Sequence, residues 1–273
     1  MTVRTVWNSQ PDIVGIDFSG AQNAGDNIWI TTGTTTTGTL TVTACNPATD
    51  FLNIPPDKEL VFEALVDWTD SLSSATIGLD FPFSIPKAIA HSVFDATCYK
   101  DLLTSPTWPA LTPDQFRHQC TNTSGDQYRL TDAMHRGDHP HSIRVYKQTF
   151  HGIRDILKPL HNRNVSIAPM LNTGPTTVLE TYPAATLAAE PNLIATHYKN
   201  TSSGRDHRQH NIQTLSQLPA LNLSNLPQAT VINDSEGHAL DSLVAALATY
   251  RATHQTSPFT RTPYTPIEGH IYS

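Results

Sequence analysis

Four acidic residues stand where a carboxylate is costly to place. Asp17 lies within the apolar run DIVGIDF, Asp80 ends ATIGLD, and Glu180 ends TTVLE. Asp241 interrupts HALDSLVAAL, whose apolar residues cover more than one face of a helix. A buried carboxylate must be paired, hydrogen-bonded or bound to a cation. Several together repel one another unless a cation lies among them, and oxygen-rich clusters suit Mg²⁺ or Mn²⁺.

Other side chains could complete such a site. His238 precedes Asp241 by three residues and shares its helix face, so it is a candidate co-ligand. Arg129, Arg144 and Lys147 are candidates to bind phosphate groups, with arginine able to do so through two hydrogen bonds. Each residue taken alone also has an ordinary structural use: acidic residues cap turns, and exposed arginines form surface salt bridges.

The sequence predicts a mixed α/β fold to position these residues. A hairpin with the tip TTTTG follows the first strand, a helix follows Pro55-Pro56-Asp57, and another begins near Pro86. A strongly amphipathic helix covers residues 142–160, and a last helix covers residues 236–253. The predicted strands are DIVGIDF, NIWITTG, TLTVTAC, ATIGLD and TTVLE, with VIND (231–234) as a candidate short strand.

These elements give a five-stranded mixed sheet, with three antiparallel strands followed by parallel crossovers and with helices on its faces. Residues 1–273 form one domain, and residues 96–145, rich in proline and weak in periodicity, are an insertion or lid. Sites in such sheets collect at the carboxyl ends of the strands. We therefore expect Asp17 and Asp80 to converge, and the last helix to bring Asp241 over the same edge.

The composition of the chain limits the classes of partner that the protein is expected to bind. The net charge of −7 argues against a protein that coats nucleic acid through a broad basic surface, but it permits local contacts. Three widely spaced cysteines indicate neither a zinc ribbon nor a disulfide framework. The segment MTVRTVWNSQPD lacks an apolar signal core, and no run approaches the roughly 20 apolar residues of a membrane helix. These features predict a cytoplasmic protein without membrane association.

Six short motifs carry a resemblance to a known family. They are IVGIDFSGA, IGLDFPFSIP, RLTD, VLETYPAA, HALDSLVAAL and the terminal IEGHIY. Their order over nearly the whole chain resembles the domain of unknown function 429 (DUF429) family, described as predicted nucleases of the RNase H-like superfamily. HALDSLVAAL also resembles the final segment of Holliday-junction resolvases of that superfamily, which implies that His238 and Asp241 lie at a metal. Glu180 fits the family motif but departs from the resolvase pattern.

The resemblance and the residues together predict a metal-dependent nuclease acting on DNA or RNA. In that hypothesis Asp17 bridges two divalent ions, Mg²⁺ or Mn²⁺, Asp80 and Asp241 each complete a site, and His238 or Glu180 fills a remaining position. Two alternatives stay open. One is a phosphotransferase related to actin and the sugar kinases, which approach phosphate with a similar Asp-x-x-Gly turn and hairpin. The other is a non-catalytic binding or regulatory module that retains the fold.

Overall fold

A single mixed β-sheet is the centre of the molecule. The computed structural model describes residues 10–254 and 266–273, so most of the N-terminal segment discussed above lies outside the described residues. The strands of the described part are β1 (Ile13–Asp17), β2 (Trp29–Thr36), β3 (Thr39–Pro47), β4 (Thr76–Asp80), β5 (Ser166–Ala168), β6 (Thr177–Thr181), β7 (Leu221–Asn222) and β8 (Ile271–Tyr272). Across the sheet they follow the order β5-β6-β4-β1-β2-β3-β7, and β8 pairs with β6.

Helices cover both faces of this sheet. A 3₁₀ turn lies at Trp108–Ala110, and a π-helical segment lies at Gly152–Leu157. The α-helices are α1 (Ala24–Asn27), α2 (Ala48–Leu52), α3 (Lys58–Ser71), α4 (Lys87–Phe94), α5 (Tyr99–Thr104), α6 (Pro113–Ser124), α7 (Leu130–His135), α8 (Tyr146–His151), α9 (Lys158–Asn162), α10 (Pro183–Ala189), α11 (Gly204–Leu215), α12 (Gln228–Asn233) and α13 (His238–Thr253). No helix in the described part of the chain has the length and apolar composition that a membrane span requires.

The five predicted strands form the contiguous middle of the sheet. The pairs β1/β2 and β2/β3 are antiparallel, whereas β1/β4 and β4/β6 are parallel. The mixed α/β architecture is therefore confirmed. The expected strand count of five was too low, because β5, β7 and β8 have only two or three residues each, too few to show a periodic pattern.

The prediction of a strand at VIND was wrong. Val231 to Asn233 belong to α12, which begins directly after Pro227. A proline before the first turn suits the start of a helix. Only Val231 of this short helix is buried, in the apolar cluster that also contains residues of α13. The helical conformation of the β-branched residues Val231 and Ile232 is thus determined by the preceding proline and by tertiary contacts, which outweigh their preference for strands.

The two faces of the sheet bury different helices. Val14 and Ile16 of β1 lie in a large core with α3 and with the helical segment 146–162, and Ile77 and Leu79 of β4 join them. Side chains alternate across a strand, so Gly15 and Asp17 face the opposite side. That side is covered by α13, whose residues are nearly all buried.

The segment 96–145 is more helical than its sequence predicted. It contains α5, α6 and α7, and α6 begins with a capping box between Thr112 and Gln115. Trp108 and Phe116 are fully buried, and their rings contact Phe94 and Phe150. The first half of the segment is therefore part of the core on the α3 side of the sheet.

Candidate metal centre

Strand register brings Asp17 and Asp80 side by side. In the parallel pair β1/β4, Asp17 lies directly opposite Asp80, and each is the last residue of its strand. Parallel neighbours in register point to the same face of the sheet. Both carboxylates therefore stand at the carboxyl edge, on the face covered by α13, as the sequence predicted.

Two glycines let α13 approach this face closely. Gly15 and Gly78 are opposite each other in β1 and β4. A Cβ atom at Gly15 would lie 2.7 Å from Cα of Ala246, and one at Gly78 would lie 3.1 Å from the carbonyl oxygen of Ala245. Only glycine leaves room for a helix backbone at this distance. The close approach carries Asp241, in the first turn of α13, to the edge where Asp17 and Asp80 end.

Asp17, Asp80 and Asp241 form a cluster, hereafter the acidic triad. One carboxylate oxygen from each lies within 4.8 Å of the other two. Asp17 and Asp241 are buried, with 5% and 1% of their surface exposed, and Asp80 is half-buried. Burial raises the pKa of Asp80 well above its usual range, and the charges of Asp17 and Asp241 raise it further. The arrangement is costly when all three are ionised without a cation.

His238 lies against Asp17. Its Nδ1 is 2.6 Å from Oδ2 of Asp17, a hydrogen-bond distance. Burial lowers the pKa of His238, but the hydrogen bond and the charge of Asp17 outweigh this and raise it overall. At Asp17 burial is the stronger effect: it raises the pKa of this carboxyl more than the hydrogen bond with His238 lowers it. The structure thus places His238 where it orients Asp17; its ligation of a metal stays a prediction.

Glu180 lies outside the acidic triad and is bound to Arg129. Nη1 and Nη2 of Arg129 donate to the two oxygens of Glu180, at 2.8 and 2.6 Å. The backbone N–H of Phe83 also donates to Glu180, at 2.9 Å. These three donors occupy most of the lone-pair directions of the carboxylate, and its charge is already paired with Arg129, so this geometry speaks against the prediction that Glu180 is a metal ligand.

The guanidinium of Arg129 likewise binds buried groups of the protein. Its side chain is fully buried, and Nε and Nη2 donate to Asp132 at 2.6 to 3.2 Å. Nη1 also donates to the carbonyl oxygen of Glu268, at 3.2 Å. This geometry is at odds with the prediction that Arg129 meets a phosphate. Arg129 and Glu180 are instead among the residues that line a small cavity, about 70 Å³ in volume, which Asp80 also lines.

Arg144 and Lys147 lie together on an open groove. They line it with Tyr146 and Gln148 on one side and with the turn Ser19–Ala21, directly after β1, on the other. The groove has a volume of about 340 Å³. The Arg144 side chain is 79% exposed, and its only ion pair in the described chain is a 3.7 Å contact with Asp138. Two cationic side chains therefore border the end of the strand that carries Asp17.

Two residues of the site had no signal in the sequence. Tyr198 donates a 2.7 Å hydrogen bond to Oδ1 of Asp241, and the ammonium of Lys199 contacts Oδ2 of the same carboxylate. Both lie in the irregular segment between α10 and α11. A tyrosine and a lysine in a polar segment have no periodicity that would connect them to a helix forty residues later.

Comparison with known proteins identifies the family. The family model described as "Protein of unknown function (DUF429)" matches residues 15–265. The chain belongs to the DUF429 family. Neither the curated proteins nor the solved structures contain a match to it. In this DUF429 protein, the matched region includes all three residues of the acidic triad.

Proposed function

We propose that this DUF429 protein is a metal-dependent nuclease, which hydrolyses phosphodiester bonds of DNA or RNA with Mg²⁺ or Mn²⁺ bound at the acidic triad. The observation that carries the proposal is the triad itself. The three carboxylates come from β1, β4 and α13, which are far apart in the chain, and one oxygen of each lies within 4.8 Å of the other two. Three carboxylates so close repel one another, and the ammonium of Lys199, which contacts Asp241, balances a single negative charge, so the cluster favours the binding of a cation.

The donor set fits a hard divalent cation. All three groups are carboxylates, and Mg²⁺ and Mn²⁺ prefer oxygen ligands. Burial raises the pKa values of Asp17 and Asp80, the charges of the neighbouring carboxylates raise them further, and a bound cation would offset this repulsion. When bound at such carboxylates, divalent ions supply an activated water and stabilise the leaving oxygen of a phosphodiester. His238 would hold Asp17 in orientation while it binds.

The groove at Arg144 and Lys147 supports a polyanionic substrate. The groove is lined by Ser19, which follows Asp17 by two positions in the sequence. A phosphate bound in the groove would therefore lie beside the end of the strand that carries Asp17. The net charge of −7 repels nucleic acid elsewhere on the molecule. Binding would thus depend on a few local contacts, and these two side chains are the proposed ones.

The architecture favours this proposal over a kinase-like phosphotransferase. Actin and sugar-kinase relatives hold a nucleotide between two lobes, and each lobe has its own sheet. All strands among residues 10–254 and 266–273 belong to one sheet. The described part of the chain therefore contains one lobe and no facing partner for it.

The direct test is cleavage with matched variants. Purified protein is incubated with single-stranded DNA, single-stranded RNA, an RNA–DNA hybrid and a branched DNA junction, each with Mg²⁺, Mn²⁺ or EDTA. We expect metal-dependent cleavage of at least one substrate, and a loss of at least about 100-fold in Asp17→Asn and Asp80→Asn. Asp26→Asn, which changes an exposed carboxylate in α1, is the control and should retain activity. Unchanged cleavage by Asp17→Asn would refute the proposed mechanism.

A separate measurement distinguishes the nuclease from a non-catalytic module. If the triad binds metal, Mg²⁺ should raise the melting temperature of the wild type but not of Asp17→Asn. Stabilisation by metal without cleavage of any substrate would identify a metal-binding module. If Mg²⁺ neither stabilises the protein nor supports cleavage, the triad is not a metal site.

A further inference from the structure

Lys199 already supplies a positive charge to the acidic triad. Its ammonium contacts Oδ2 of Asp241, and the hydroxyl of Tyr198 occupies Oδ1. Both oxygens of Asp241 are thus engaged by the segment between α10 and α11. A cation that used Asp241 as a ligand through Oδ2 would have to take the place of this ammonium.

All three carboxylates act on this ammonium. Burial lowers the pKa of Lys199, but the charge of Asp241, then that of Asp17, and also that of Asp80 raise it overall. The ammonium therefore lies in the field of the whole triad, which is also where a divalent cation would bind.

The two partners of this contact differ in freedom. The side chain of Asp241 is 2% exposed and fixed in the first turn of α13, whereas that of Lys199 is 46% exposed. Lys199 belongs to an irregular segment, and its Nζ lies 5.5 Å from the ring centre of Tyr198, where the aromatic face also attracts it. The ammonium can therefore leave Asp241 by rotation of its own flexible stem.

We propose that Lys199 and a divalent cation are alternative occupants of the acidic triad, so that metal binding displaces the Lys199 ammonium and turns it toward a phosphate bound at the site. The inference rests on the proposed function, because it uses the same metal site. Two cations at one carboxylate oxygen repel each other, and the divalent ion has the larger charge. The released ammonium remains tethered beside the triad, where a phosphate brings the nearest new negative charge.

The exchange predicts that removal of Lys199 strengthens metal binding. In the wild type, part of the binding free energy of the metal is used to displace the ammonium. Lys199→Met lacks this competitor, and we expect it to bind Mn²⁺ and Mg²⁺ at least about tenfold more tightly. Lys199→Arg keeps a cationic competitor and should bind metal with nearly wild-type affinity. Lys58→Met, at the start of α3 on the other side of the sheet, is the control for loss of one positive charge.

The affinities are measured by calorimetric titration of the metal-free proteins with MnCl₂ and MgCl₂. Tighter binding by Lys199→Met alone supports the exchange. Equal affinity in wild type, Lys199→Met and Lys58→Met overturns it while the metal site and the proposed nuclease remain. Absence of metal binding in both the wild type and Lys199→Met overturns the exchange and the proposed function together.

A chemical readout follows the ammonium without any variant. Wild-type protein is acetylated briefly with and without saturating Mn²⁺, and the modified lysines are quantified by mass spectrometry. We expect acetylation of Lys199 to rise several-fold with Mn²⁺, because a displaced amine is no longer paired with Asp241. Lys100, exposed in α5, is the internal reference and should not change. Unchanged acetylation of Lys199 while Mn²⁺ is bound would show that the ammonium stays in place.

Discussion

Gly15 of β1 lies directly against the backbone of Ala246 in α13. A Cβ atom at position 15 would approach Cα of Ala246 to 2.7 Å and would overlap the backbone nitrogen of Ala246 and the carbonyl oxygen of Ser242. Backbone atoms of a buried helix cannot move aside as the end of a flexible side chain can. The spacing of the acidic triad therefore depends on a residue that carries no chemistry, two positions before Asp17.

Substitution of Gly15 should damage both stability and metal binding. Gly15→Ala forces α13 away from β1, and we expect it to lower the free energy of unfolding by about 3 kcal/mol. The same shift moves Asp241 away from Asp17, so the stabilisation of the protein by Mg²⁺ should fall. Urea denaturation with and without Mg²⁺ measures both effects. In Gly137→Ala the new atom meets only ordinary contacts, 3.5 Å or longer, and a comparable loss there would contradict the explanation.

The raised pKa of Asp80 predicts a pH dependence of the metal-free protein. Burial and the charges of Asp17 and Asp241 raise the folded-state pKa above the ordinary value of 3.8. The unfolded chain thus loses this proton first, and the stabilisation provided by protonated Asp80 is present below about pH 4 and lost as the pH rises through the folded pKa. Asp80→Asn cannot ionise, so it should be more stable than the wild type at pH 7 in EDTA.

Comparison of the two proteins isolates this effect from other titrations. The difference in the free energy of unfolding between Asp80→Asn and the wild type should grow from pH 4 to pH 7 in EDTA. Saturating Mg²⁺ should reduce or reverse it at pH 7, because the cation stabilises the ionised form that only the wild type has. If the difference in the free energy of unfolding does not vary with pH, the pKa of Asp80 is not raised in the folded protein.

Arg129 should behave as a structural residue. Arg129→Met leaves Glu180 and Asp132 buried without their cation, and we expect a loss of about 3–5 kcal/mol in the free energy of unfolding. Arg129→Lys should restore little, because an ammonium cannot donate in parallel to two carboxylates. The triple variant Arg129→Met, Asp132→Asn, Glu180→Gln removes the unpaired charges and should recover part of the loss in urea denaturation. If the triple variant does not recover stability, the loss in Arg129→Met is not caused by the unpaired carboxylates.

The sequence predicted the acidic triad because each member carries a local signal. Asp17 and Asp80 end apolar strands, and Asp241 lies on a helix whose apolar residues cover more than one face. The convergence itself follows from the rule that sites gather at the carboxyl ends of parallel strands. Chain order also indicated the mixed sheet. Local patterns were sufficient here because burial, strand direction and the small residues of α13 all favour the same arrangement.

The role of Glu180 could not be predicted in the same way. It is the penultimate residue of β6, and from its own sequence surroundings it resembles Asp80 at the end of β4. The difference is Arg129, which comes from a segment without periodicity and reaches Glu180 across 51 positions of the chain. Lys199 was missed for the same reason. Pairing between an irregular segment and a buried carboxylate depends on tertiary geometry, which sequence spacing does not encode.

Arg144 and Lys147 should contribute to substrate binding without affecting the metal. Both border the groove beside Ser19, and within residues 10–254 and 266–273 the one ion pair of the exposed Arg144 is a long contact with Asp138. In an Asp17→Asn background, which prevents cleavage, we expect Arg144→Ala with Lys147→Ala to weaken nucleic-acid binding and to reduce the slope of log K against log salt by about 1–2. Fluorescence anisotropy at several salt concentrations measures the slope. The pair should change neither the free energy of unfolding by more than about 0.5 kcal/mol nor the stabilisation of the active protein by Mg²⁺. If binding and its salt dependence stay unchanged, the nucleic acid follows another path across the molecule.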